Sequence, residues 1–510
     1  MLHRVHEILL VASPYDAFIL EEDGRLTAQI LHEYLGMNLS YAPRVWQANT
    51  AAYAMDLLSR RSIDLIIVML RISDMDPVTF GTKVKELYKN KPIILLAFDE
   101  SEVKQLPDNI DEVIDNVFVW TGDSNVFPAI IKCIEDTKNV KRDIRKGNVR
   151  AILFIEDTPW YYSSILPVIY KETLYHTKQL IDKSLNDTQR LLHMRGRPKI
   201  LLAKSYEIAE KYFKQYKNNI LGIISDIRFP KNGKLHPNAG ILFAKYVRTI
   251  ETTMPILLQS NEKEALELAR TITPNVLNKS SSTLFSELRE FIIYNFGFGD
   301  FVFKLPNGEE IGKAVNMEEL VEFISTIPKE SLDYHGSSNH FSNWLAARGE
   351  FKLATQFRMV KNTDFNNLDE RRQHHIDLIR SSQKTKQIGP VAEFRLTTKS
   401  LKANFLSIGT GSLGGKARGL AFANTYWGEA ELADKYPDVT LRVPKVAVVG
   451  TDEFDHFMDV NKLWETALSL DSNKDLEAVF LKGRLSRNLV QTLKEFLKEV
   501  HFPLAIRSSS

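Results

Sequence analysis

Short runs of consecutive apolar residues punctuate the first part of the chain: EILLVA (Glu7–Ala12), DLIIVM (Asp64–Met69), PIILLA (Pro92–Ala97) and VFVW (Val117–Trp120). Each is too short for a helix and rich in β-branched residues, the pattern of strands buried on both faces. Between them, AAYAMDLLSRR from Ala51 and FGTKVKELYKN from Phe80 carry apolar residues at helical spacing. Alternation of this kind predicts a doubly wound α/β domain. A second pass begins near Arg150, with AILFI from Ala151, PKILLA from Pro198, NILGIIS from Asn219, PILLQ from Pro255 and NVLN from Asn275. YEIAEKYFKQY from Tyr206 and AGILFAKYVRTI from Ala239 supply its helices. The economical reading is one architecture used twice in tandem.

From Phe296 the alternation stops. FVFKLPNGEEIG sets Asn307-Gly308 between short extended runs, a hairpin signal. MEELVEFISTIP, FSNWLAARGEFKLATQFRMV and LDERRQHHIDLIRSSQ follow as helical patterns, and KTKQIGPVAEF from Lys384 reads as a hinge. His335, His340, His374 and His375 have no compact zinc spacing, and adjacent histidines point to different helix faces, so surface or packing roles are expected. The predicted organisation is residues 1–145 and 146–295 as the two α/β domains, 296–398 as a mainly helical connector with a hairpin, and 399–510 as a further domain.

Composition narrows the function classes. A chain of 510 residues exceeds a single core. Its 66 Lys and Arg nearly cancel 64 Asp and Glu, so no global field draws it to nucleic acid or acidic lipid, and neither partner is expected. Cys133, the single cysteine, excludes an internal disulfide and suits a reducing compartment. No apolar run approaches the roughly eighteen residues that span a bilayer, so a cytoplasmic location is expected.

In open α/β sheets, function gathers at the carboxyl ends of the strands. In the second domain those ends carry Glu156 and Asp157 after the first strand, Asp226 at the third, Ser260 at the fourth and Lys279 after the fifth. Three carboxylates form a hard-oxygen site for Mg²⁺, with Asp226 available as a nucleophile toward a phosphoryl group. Ser260 and Lys279 supply a hydroxyl and an ammonium for phosphoryl oxygens.

This constellation resembles the receiver domain of bacterial response regulators, a flavodoxin-like fold, over roughly residues 150–295. The resemblance implies Asp226 as phosphoacceptor, Glu156 and Asp157 as the metal-binding pair with it, and Ser260 and Lys279 as switch residues. A histidine kinase or a small phosphodonor would be the phosphoryl source, and a homodimer is an allowed assembly. In the first domain the corresponding ends are Ala12, Ser13, Met69 and Ala97. Methionine cannot accept a phosphoryl group, so residues 1–145 read as a degenerate, receiver-like domain kept for packing or partner binding, although SDMD (Ser73–Asp76) looks like the loop after a receiver phosphosite.

SIGTGSLGGKARGL (Ser407–Leu420) places five glycines and Lys416 between an apolar run and a helical one. Glycines let a backbone approach closely, and a helix amino terminus favours an anion. It is neither a P-loop nor a dinucleotide fingerprint, and alone it fits a flexible joint as well as a phosphate cradle. Downstream stand Val443-Pro444, opening an apolar strand, and FPLAIRSSS, read as a strand delivering Arg507 to Ser509. Leu413 to Lys416, Val443-Pro444 and Arg507 to Ser509, in that order, resemble the start of the ATP-grasp nucleotide-binding domain of phosphoenolpyruvate synthase and pyruvate phosphate dikinase.

That resemblance implies ATP and Mg²⁺ as cofactors, Lys416 and Arg507 at ATP phosphates, and Gly414 and Gly415 giving backbone room. The family passes phosphate from ATP through a histidine on a swivelling domain to pyruvate. Neither that domain nor the pyruvate-binding barrel is recognisable here, so the chain reads as a fragment, inactive alone. The expected function is the regulatory and nucleotide-binding portion of a pyruvate, water dikinase-like enzyme, governed by aspartyl phosphorylation. The alternative is a signalling adaptor or response regulator with a non-catalytic nucleotide-binding tail.

Overall fold

The computed structural model describes residues 3–22, 26–36, 42–107, 110–120, 122–182, 196–360, 364–387, 392–393, 405–409, 411, 413–429, 445–470, 472–501 and 503–508. The chain divides into two compact units, one comprising Met1–Ile181 and Leu192–Leu368, the other including Asp369–Ser510.

In the first unit the initial apolar runs become β1 (Glu7–Val11), β3 (Leu65–Met69), β4 (Ile93–Ala97) and β5 (Asn116–Val119). A further strand, β2 (Arg44–Ala48), was not visible as an apolar run. It lies at a sheet edge, and its sequence RVWQA is mostly half-buried or exposed, so it never needed continuous apolar residues. All five pair in parallel in the order β2-β1-β3-β4-β5. Every residue of β3 and β4 is buried, each apolar side chain contributing about 1.5–3 kcal/mol of burial.

The second pass gives β6 (Ala151–Ile155), β7 (Lys199–Ala203), β8 (Ile220–Asp226), β11 (Ile256–Ser260) and β12 (Val276–Asn278), parallel and in the order β12-β11-β8-β6-β7. Numbered within each copy, both sheets have the order 2-1-3-4-5, the flavodoxin-like doubly wound arrangement. Between β8 and β11, a small hairpin of β9 (Phe229–Lys231) and β10 (Lys234–His236) turns at Asn232-Gly233, both in the left-handed region.

Two helices join the copies. The Val126–Gly147 helix buries polar as well as apolar residues. Its Glu135 and Asn139 accept the Val5 and His3 N–H groups at 3.1 and 3.0 Å. Its Asp136 is bound by the Arg197 guanidinium and accepts the Ile200 N–H of β7 at 3.0 Å. The Pro159–Asp182 helix follows β6 directly.

The hairpin signalled by Asn307-Gly308 is present as antiparallel β13 (Phe301–Lys304) and β14 (Glu310–Ala314), with Gly308 at φ 91°. Helices Met317–Thr326, Lys329–Ser337, His340–Ala347 and Phe351–Met359 follow within the same compact unit. The Phe296 ring lies against Gly222 of β8, where an added Cβ would stand 2.2 Å from a ring carbon. That contact explains a glycine inside an otherwise apolar strand.

His335 packs among Phe301, Phe303 and Phe341. Its Nε2 accepts the Lys304 N–H at 2.7 Å, and its Nδ1 meets His340 Nδ1 at 3.0 Å. Burial pushes His335 down to about 3 and His340 to about 4, so both rings are neutral near pH 7. The neutral His335 proton therefore sits on Nδ1 and is donated to His340. A group whose folded pKa is depressed adds stability above its unfolded value, here 6.5, and loses it as pH falls toward the folded one. Stability of the chain should decline from pH 6.5 to pH 4, by up to about 1.4 kcal/mol per pH unit for each histidine. Chemical denaturation of the native chain and of a His335→Gln variant at stepped pH isolates this contribution from that of other titrating groups, and equal slopes for the two chains across the window refute the neutral pair.

In the second unit, β15 (Ala392–Glu393), β16 (Phe405–Ile408) and β17 (Val446–Val449) pair in parallel in that order. The Gly414–Glu429 helix connects with β16, and the Arg487–Glu499 helix packs Leu489 and Phe496 on Leu406 and Ile408. Much of the expected hinge at 384–394 lies outside the described residues. Among the described residues no helix is long and apolar enough to cross a membrane.

Candidate functional site

The carboxyl ends of the two sheets differ in chemistry. At the first, β3 ends in Met69 and β4 in Ala97, both buried. The acids of Ser73–Asp76 serve as helix caps: Asp74 accepts the Ala51 and Ala52 N–H groups at 2.6 and 3.1 Å, and Asp76 accepts that of Thr79 at 2.9 Å. The Ala51 N–H holds Asp74 below the usual carboxylate range.

At the second sheet, β6, β8, β11 and β12 bring Glu156, Asp157, Asp226, Ser260 and Lys279 to the same carboxyl edge. Lys279 Nζ lies 2.6 Å from Glu156 Oε2 and 2.9 Å from Asp226 Oδ2. Its backbone N–H donates to the Ser260 carbonyl at 3.0 Å, which ties the end of β12 to that of β11. Asp226 Oδ1 accepts the Ile227 N–H at 2.8 Å, and Ser260 Oγ accepts that of Glu262 at 3.1 Å. The Ala239–Ile250 helix begins against the Asp226 backbone, and a Cβ on Gly240 would stand 2.1 Å from the Asp226 carbonyl oxygen. Only glycine permits that approach.

Electrostatics sharpen the picture. Burial pushes Glu156 up against the opposing pull of Lys279, and burial with the Asp226 charge pushes Asp157 up to about 6. Burial alone would lower Lys279, but Glu156 and Asp226 outweigh it and the net direction is upward. Three carboxyl groups thus face one ammonium, an imbalance a divalent cation would correct.

Among the described residues, Glu156, Asp157 and Asp226 form the one acidic group able to hold a metal ion, their ligand oxygens lying within 4.8 Å of one another. Asp157 Oδ1 is buried without a hydrogen-bond partner. Hard oxygen donors with one unsatisfied atom fit Mg²⁺.

Some members of the site gave no clear signal in sequence. Gln259 Nε2 donates to Glu156 Oε2 at 3.2 Å from a fully buried position. The only available hint was a polar residue inside PILLQ. Tyr161 presents its ring 4.1 Å from Lys279 Nζ and accepts a hydrogen bond from Asn261 Nδ2 at 2.6 Å.

No family model and no curated protein matches the chain. The solved signal receiver domain of an HD domain-containing protein from Pseudomonas fluorescens Pf-5 is similar at 22% identity, covering 28% of this chain and 96% of that one, with a TM-score of 0.21. NtrX from Brucella abortus is similar at 10% identity, covering 73% of this chain and 100% of that one, with a TM-score of 0.23. NtrX in complex with ADP is similar at 10% identity over 89% of this chain and 99% of that one, with a TM-score of 0.23. The receiver-like fold itself stands on the strand order of the two sheets.

The residues expected at ATP phosphates are partly assembled. Gly414, Gly415 and Lys416 open the Gly414–Glu429 helix, with Gly414 at φ 73° and open space beside Gly415. Lys416 Nζ donates to Ser508 Oγ at 3.2 Å, bringing the glycine loop to the residue after Arg507. Arg507 is exposed. The expected strand there is not formed: residues 503–508 have no regular structure, and Leu504 and Ile506 are exposed. An apolar run becomes a strand only with a ladder partner, and in the described sheet of the second unit β15, β16 and β17 pair with one another and not with this segment. Val443-Pro444 and Ser509 lie outside the described residues.

Proposed function

We propose that this chain is a signalling protein of the response-regulator kind, with Asp226 as its phosphoacceptor. The observation that carries the reading is the Lys279 ammonium held 2.9 Å from Asp226 inside a cluster with Glu156 and Asp157. Mg²⁺, held by Glu156, Asp157 and Asp226, would neutralise charge on an incoming phosphodonor. Asp226 attacks phosphorus through a carboxylate oxygen, the donor's bond to phosphorus breaks (P–N in a phosphohistidine, P–O in an acyl phosphate), and the imidazole or carboxylate departs with that electron pair. Lys279 and the Ser260 O–H are the donors available to the transferred oxygens, and Gln259 holds Glu156 in place. The phosphoryl source is a histidine kinase or a small acyl phosphate. Incubation with radiolabelled acetyl phosphate should label the chain in Mg²⁺, and a chelator should prevent it.

A second reading concerns residues 399–510, supported by the Lys416 to Ser508 hydrogen bond between the first and last of three dikinase-like motifs. In this reading the segment binds ATP phosphates through Lys416 and Arg507, and the receiver regulates a phosphoenolpyruvate-synthase-like phosphotransferase acting on pyruvate. Lys416→Ala should weaken ATP binding about tenfold or more, the scale of one charge-assisted hydrogen bond. Calorimetric titration checks it, and unchanged affinity refutes the assignment.

A further inference from the structure

Three consecutive residues at the start of the Pro159–Asp182 helix face two different domains. Tyr161 belongs to the phosphosite: its hydroxyl accepts from Asn261 Nδ2 at 2.6 Å, and Asn261 Oδ1 accepts from Ser280 Oγ at 3.0 Å. This chain of bonds ties together the loops after β6, β11 and β12, while the Tyr161 ring lies 4.1 Å from Lys279 Nζ.

Tyr162 and Ser163 turn the other way. The Tyr162 O–H donates to the Val117 carbonyl of β5, and its ring meets the Phe118 ring edge-on at 5.3 Å. Ser163 Oγ accepts the Val119 N–H at 2.9 Å. Strand β5 is an edge strand, so these two side chains occupy backbone groups that a sixth strand would otherwise pair. Successive helical residues point about 100° apart, so fixing Tyr162 and Ser163 also fixes the direction of Tyr161.

We propose that the edge strand of the first sheet positions Tyr161 as a cover over the Asp226 pocket. The domain without phosphorylation chemistry thereby sets how readily solvent and small reagents reach position 226. Its consequence rests on the phosphoacceptor reading. Hydrolysis of a phosphoaspartate requires a water oxygen to bond to phosphorus as the P–Oδ bond breaks. Asp226 then leaves as carboxylate, and the water proton passes to phosphate or solvent. A fixed cover slows that approach and lengthens the life of the signal.

Access can be measured without phosphorylation. Asp226→Cys places a thiol in the pocket, and Cys133, the only native cysteine, is buried with its thiol pushed up to about 12, so it reports global opening. Modification by iodoacetamide is followed at each site by mass spectrometry. In the Asp226→Cys background, Tyr161→Ala should raise the rate at position 226 by about tenfold. Ser163→Ala and, independently, Tyr162→Phe should each raise it roughly fivefold, the scale of one hydrogen bond, with Cys133 unmodified. Rates unchanged by Ser163→Ala and Tyr162→Phe overturn the positioning role. So does modification of Cys133 rising in step with that of position 226. Failure of the native chain to accept phosphate from acetyl phosphate removes the phosphoacceptor reading and leaves the access measurement standing.

Discussion

Asp226→Asn is expected to abolish labelling by acetyl phosphate, the largest functional effect of any single substitution in this chain. The carboxamide fills the same space and can still accept the Ile227 N–H that Asp226 Oδ1 now receives at 2.8 Å, so the fold should persist. What disappears is the anionic oxygen that forms the bond to phosphorus. In the first domain Met69 and Ala97 close β3 and β4, so no carboxylate stands at the strand end that corresponds to Asp226, and Asp74 and Asp76 are bound as helix caps. Labelling retained in the Asp226→Asn chain would mean that another residue is the acceptor.

Lys279→Met should produce the largest loss of stability. The ammonium is almost wholly buried and bridges two carboxylates, Glu156 and Asp226, with Asp157 beside them. Methionine preserves most of the volume and removes the only positive charge in the cluster. Breaking a buried ion pair from one side costs about 3–5 kcal/mol, because the partners remain desolvated and repel. Mg²⁺ should restore part of the loss, since an ion that binds the folded state alone stabilises it by mass action. Thermal unfolding with and without Mg²⁺ measures both effects. A melting temperature equal to that of the native chain would show that Lys279 does not neutralise the cluster.

The strands that form the centres of the two sheets were legible because parallel strands covered on both faces must be continuously apolar, as in LIIVM and IILLA. Edge strand β2 escaped notice for the converse reason. The hairpin of β9 and β10 carried an Asn-Gly signal too, at Asn232-Gly233, but its three-residue strands show no periodicity to set beside it. The acids of the site were legible because each stands at the end of such a run. Gln259 and Tyr161 were not, since their partners Glu156 and Asn261 lie 103 and 100 residues away.

The sequence by itself determined the repeated α/β plan and the chemical difference between its copies, since periodicity and residue identity depend only on neighbours along the chain. Tertiary structure alone decided that Lys279 stands between Glu156 and Asp226, that Lys416 meets Ser508, and that Tyr162 and Ser163 bond to the first sheet's edge. Ion pairing, desolvation and hydrogen bonding act over a few ångströms of space, and only folding brings those distant positions within that range.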